Sequence, residues 1–150
     1  LPGHANWQAD DQRRQGDKAM SAELFKEIGV IRSDELEDGP ITPGQIRRKA
    51  LEAGDLWVGE CHVTALDQPS QWHHHKDFDS VMYMLSGRIR VDHGPGGTKS
   101  FEMGAGDYAY FPRRLIHRAQ ILEGGDDVRY VFIRIGKGET LENVDGPDAV

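Results

Sequence analysis

From Leu56 onward the chain is a succession of short runs in which apolar and polar positions alternate. The runs are LWVGECHVTAL, SVMYMLS, RIRVDH, KSFEM, YAYF, IHRAQIL and VRYVFIRI. Alternation with a period of two puts one set of side chains on each face of an extended strand, so each run is expected to form a β-strand. Between them stand DQPS, SG, GPGG, GAGD, PRR, EGGDD and GKG, rich in the residues that tight turns require. Many short strands, Gly-rich turns and no helical period between them predict an all-β sandwich or closed barrel. GPGG at 94–97 reads as a hairpin turn, not a phosphate loop, because no helix with a free N-terminus follows it.

The upstream part is patterned differently. Residues 42–54 support two readings. TPGQ offers a Thr cap, Pro at the first helical position and Gln three after the cap. As a helix, however, the segment has only the thin apolar face of Ile46, Ala50 and Leu51. QIRRKALEAGDLWVGECHV also reads as two strands around the turn EAGD, and this hairpin is preferred. Residues 1–20 are polar and of mixed charge, which predicts an extended or disordered arm. Ser21 can cap a short helix through Ile28, stopped by Gly29. Met20 is an alternative start, so the sequence leaves open whether residues 1–19 are native. At the other end, GKGETLENVDGPDAV is polar and acidic; it reads as a surface tail whose ENV adds to a sheet edge. Residues 21–150 thus form one expected domain, with its core over about 45–135.

Composition narrows the function classes. The formal net charge of −7 disfavours nucleic-acid phosphate and anionic lipid as partners. No apolar run approaches the roughly 20 residues that span a bilayer. The first residues, LPGHANWQADDQRRQG, lack the apolar stretch of a secretory signal. One cysteine, Cys61, cannot form an internal disulfide, which suits a reducing compartment; the cytoplasm is the expected location. Cys61 has no obvious base beside it in sequence and reads as a small buried hydrophobe. No Ser-His-Asp order, Walker loop, dinucleotide fingerprint or CxxC pair is present.

The chemistry concentrates in QWHHHKDFDS, residues 71–80. His73 and His75 are two apart, so on a strand both reach the same point while His74 points away. Imidazole is the commonest neutral metal ligand, and two of them beside an anionic oxygen suit Fe(II), Mn(II), Ni(II) or Zn(II). Asp77 and Asp79 follow closely. A third imidazole, His117, begins the strand after the turn at Pro112, where a barrel can bring it beside the pair.

These residues resemble the small single-domain cupins. The first motif of that family runs Gly, five residues, His-x-His, three or four residues, Glu, six residues, Gly; His73, His75 and Gly87 match it. The second runs Gly, five residues, Pro-x-Gly-x-x-His; Gly106, Pro112 and His117 match it. The resemblance covers roughly residues 45–135 and implies a double-stranded β-helix, a jelly-roll barrel. Three departures stand out. Counting back from Gly87 puts Ser80 at the Glu position, with Asp79 one residue earlier. A shift of one residue turns a strand side chain to the opposite face, so Asp79 ligates only if the strand starts late or bulges there. Arg114 replaces the second motif's Gly, which implies a different turn, and Asp67 replaces the first motif's initial Gly.

The candidate metal ligands are therefore His73, His75 and His117, with Asp79 or a water as the fourth. Candidate pocket residues are His62, Met82, Met84, Tyr108, Tyr110 and Arg114. His62 is read as either outward or in the pocket, and the methionines as an apolar wall. Tyr108 and Tyr110 line the cavity or a dimer contact. Arg113 and Arg114 form a solvated pair, or one of them receives a substrate carboxylate. The resemblance implies one divalent ion, with Fe(II) favoured. It implies a metal-dependent enzyme, foremost a dioxygenase-type oxidation of a small chelating anionic or phenolic compound, with isomerase or lyase chemistry next. The alternative is a non-catalytic small-ligand-binding or sensor protein. It also implies a homodimer, with N-terminal residues exchanged across it.

Overall fold

The computed structural model describes residues 27–40, 44–64, 69–122 and 127–147. The expected arm over residues 1–20 lies outside the described residues. So does the helix expected from Ser21, apart from Glu27 and Ile28, which are not helical.

Each alternating run forms a strand, and the two-residue strands β1 and β4 lie outside those runs. In chain order they are β1 (Glu37–Asp38), β2 (Gln45–Ala53), β3 (Leu56–Val63), β4 (His73–His74), β5 (Asp79–Ser86) and β6 (Arg88–His93). There follow β7 (Lys99–Gly104), β8 (Tyr108–Phe111), β9 (His117–Ile121), β10 (Val128–Ile135) and β11 (Glu142–Asn143). The ambiguous segment is the hairpin: β2 pairs antiparallel with β3, and Gly54 takes the turn at φ +60°. Strand β3 shows why. Its Trp57, Cys61 and Val63 alternate cleanly into the core, and β2 supplies the neighbouring ladder.

All pairings are antiparallel and build two sheets, β1-β2-β3-β10-β5-β8 and β11-β4-β9-β6-β7. From β3 to β11 successive strands change sheet, except at the β6–β7 hairpin around GPGG. The chain therefore winds as a double-stranded β-helix. The ENV segment contributes β11, at the edge of the five-stranded sheet beside β4.

The core lies between the sheets. Trp57 and Phe132 stack there with ring centroids 4.9 Å apart and planes 10° from parallel. Met84, Val91 and Val128 complete it, and burying each such side chain is worth about 2 kcal/mol. Gly59 leaves room for the stack: a Cβ there would lie 2.7 Å from the Trp57 ring and 2.9 Å from that of Phe132. Gly87 turns the chain from one sheet to the other at φ +79°, a conformation glycine adopts without strain. Among the described residues no helix is long and apolar enough to cross a membrane.

Candidate metal centre

Strand β4 pairs with β9 so that His73 stands directly opposite His117. His75 lies two residues on and returns to the same side. The ring centroids are 4.5 Å apart for His73–His117, 5.1 Å for His75–His117 and 5.3 Å for His73–His75. One nitrogen from each ring lies within 4.8 Å of the other two. Among the described residues, no other His, Cys, Asp or Glu side chains gather in this way.

The rings are held in one tautomer. Nδ1 of His73, His75 and His117 lies 2.8, 2.9 and 2.9 Å from the carbonyls of Gln71, Thr140 and Leu115. A carbonyl only accepts, so each Nδ1 donates its proton and each Nε2 keeps a free lone pair. Burial lowers the pKa of all three. It drives His117 down to about 3, with His73 adding repulsion. It holds His75 well below the ordinary value, with the Arg134 charge next in effect, and His73 below it too. Neutral, oriented imidazoles are the state that metal coordination requires. The donor set thus fits a divalent ion, with His73, His75 and His117 as the holding residues.

The other candidates fall elsewhere. His74 does point away: its Nδ1 accepts from the Lys76 amide at 3.0 Å and its Nε2 lies 3.6 Å from Glu142. Asp79 is outside the histidine group. Its carboxylate accepts from Arg113 Nε at 2.8 Å and from the Tyr110 hydroxyl at 2.9 Å, and these bonds hold its pKa below the usual range. The cause is strand parity. Ser80 pairs with Phe111 and faces inward, so Asp79 faces outward. Asp77 pairs with Arg114 on the surface at 2.8 Å. At the turn after Pro112, Arg114 takes φ +59°, and its amide donates to the Lys76 carbonyl.

A cavity of about 50 Å³ opens beside the histidines. Met82 lines it. Met84 shares that parity but is fully buried in the core and does not reach it. His62, Tyr108, Tyr110 and Arg114 are not in the lining either. His62 lies on the outward face of β3, its Nε2 2.9 Å from Asp127. Tyr108 and Tyr110, 73% and 62% exposed, stand on the outer face of β8. Cys61 is 1% exposed, and burial pushes its thiol pKa up, as befits a packing residue. Sequence reasoning missed Arg47, Ser80 and Arg134 as cavity residues. The available signal for Arg134 was its parity with Tyr130 and Phe132. It was masked because Val131, Ile133 and Ile135 make the other face of VRYVFIRI equally apolar.

The Cupin_2 family model, described as a cupin domain, matches residues 62–134. No curated protein matches the sequence. Solved structures of similar fold include FeII HppE, with TM-score 0.62, 13% identity and coverage of 73% of this chain and 62% of that one. An uncharacterised conserved protein with a double-stranded β-helix domain, from Klebsiella pneumoniae, gives TM-score 0.59 at 22% identity, over 79% and 98%. The polyketide cyclase RemF from Streptomyces resistomycificus gives 0.62 at 17%, over 79% and 86%. At these identities the likeness is one of fold. The matched segment holds all three converging histidines and both strands, β4 and β9, that set His73 against His117, and over residues 62–134 the chain is a cupin domain.

Proposed function

We propose that the protein is a metal-dependent enzyme acting on a small chelating anionic or phenolic compound. Dioxygenase-type oxidation is the leading reaction, and isomerase or lyase chemistry the next. The observation that carries this reading is the convergence of three imidazoles, each with its Nδ1 tied to a backbone carbonyl. Bound there, a divalent ion supplies Lewis-acid polarisation of a carbonyl or enol, and as Fe(II) it supplies redox chemistry with dioxygen. The chain's own residues do the rest. The three carbonyls fix the rings, so no reorientation is needed when a ligand enters. Met82, Val91, Phe111 and Phe132 wall the cavity and limit access of bulk water, which strengthens every electrostatic interaction inside. The volume suits a ligand of a few non-hydrogen atoms.

Oxygen consumption by iron-loaded protein across phenols and diketones tests the reaction class. Turnover with one of them supports it. Tight binding with no turnover of any kind favours a second reading, a non-catalytic ligand-binding or sensor protein. One feature supports that alternative: Ser80 occupies the inward position and Asp79 faces out, so among the described residues no carboxylate joins the histidines.

A further inference from the structure

The cavity wall opposite the histidines carries the buried guanidinium of Arg134. Arg134 is 7% exposed and Ser80 4%, and they are direct cross-strand partners on β10 and β5. Both line the cavity. The Arg134 Nε and the Ser80 Oγ are buried with no hydrogen-bond partner. Arg134 is gripped by rings instead, its guanidinium 4.2 Å from the Phe132 centroid and 5.4 Å from that of Trp57. Burial lowers its pKa to about 10, which still leaves it charged at neutral pH. Arg47 adds a second guanidinium to the lining. No aspartate or glutamate lines the cavity among the described residues.

A buried guanidinium with an idle donor is costly unless an acceptor arrives. Among the described residues none supplies one, and an acceptor carried by a ligand would. Three neutral imidazoles around a divalent ion leave its charge uncompensated, which adds to the demand for an anion. A guanidinium fork matches a carboxylate in geometry, and the Ser80 hydroxyl can donate beside it.

We infer that Arg134 and Ser80 form an anion subsite that anchors the carboxylate of a small substrate beside the three histidines. This rests on the enzymatic reading above and narrows it, favouring a carboxylic acid over a simple phenol. Arg134 orients the ligand by pairing with its carboxylate, and the ring stack fixes the guanidinium before binding.

Calorimetric titration of zinc-reconstituted protein with glycolate, its neutral amide glycolamide, and phenol tests this. Glycolate is expected to bind at least tenfold more tightly than either. Arg134→Met should cut that preference severalfold, leaving only the ion's own preference for an anion, while elemental analysis finds the zinc content unchanged. Ser80→Ala, a smaller perturbation, should weaken glycolate severalfold and serves where the Met variant does not fold. Equal affinity for glycolate and glycolamide overturns the inference, as does a preference undiminished in Arg134→Met or, where that variant fails to fold, in Ser80→Ala. If the protein takes up no metal, the enzymatic reading falls alone. The same titrations on the metal-free protein then decide the anion subsite by the same preference.

Discussion

Asp79 and Ser80 differ by one position and by everything that position decides. Asp79 faces out into a hydrogen-bonded group with Arg113 and Tyr110, while Ser80 faces the cavity. Asp79→Asn is therefore expected to leave metal content unchanged by elemental analysis; loss of the metal would make Asp79 a ligand. A second acid has a structural role. Asp92 is 5% exposed between Arg90 and Arg118, with bonds of 2.9 and 3.0 Å. Burial alone would raise its pKa, but the two guanidiniums outweigh it and hold the value below the ordinary 3.8. A depressed folded-state pKa gives stability that is present above the unfolded value and lost as pH falls through the folded one. Asp92→Asn should cost about 2 kcal/mol near neutral pH, less than a fully buried pair because both arginines touch solvent. Its Tm should also fall less steeply than that of the wild type below about pH 4. Parallel melting curves across that range would contradict this. At this scale the sequence was legible where spacing alone decides, as for His73, His75 and His117. It was not legible for Arg134, since strand parity is readable only when one face is polar.

Elements carry these residues to one place. The β4–β9 pairing sets His73 against His117, and the β5–β6 corner returns the chain to the sheet that holds them. Gly87 makes that corner at φ +79°, and an added Cβ would come within 2.6 Å of Val128 Cγ2 and 2.9 Å of its Cα. Gly87→Ala is expected to cost about 2 kcal/mol or more, combining strain with overpacking, read by denaturant unfolding. A change within about 0.5 kcal/mol, the range of an ordinary surface substitution, would mean the corner relaxes freely. Turn chemistry and alternation made most strands visible in advance. The stretch at 42–54 stayed ambiguous because TPGQ satisfies the local rules of a helix start. The choice came from β3 beside it, whose buried alternation needs a paired neighbour. Arg114 shows the reverse limit: residue type alone does not announce that a non-glycine residue takes a positive φ.

Over the whole molecule, the outer face of the six-stranded sheet is apolar along a continuous cross-strand row of Tyr110, Val81, Ile133 and Val58. Tyr110 and Ile133 are 62% and 40% exposed. The homodimer implied by the family resemblance is proposed to form through this row. Light scattering should give twice the monomer mass, and the double variant Tyr110→Lys with Ile133→Lys should shift it to the monomer. A monomeric wild type would remove the proposal. Such contacts between chains are not legible in a single sequence, whereas the barrel was, because its strands and both histidine motifs are local patterns. The central claim is that imidazoles from two distant strands hold one ion. Elemental analysis of the native protein beside His117→Ala tests it most directly. About one divalent ion per chain is expected in the native protein, with a severalfold loss in the variant. Native protein without metal, even after reconstitution, or a variant that retains the full complement, would contradict it.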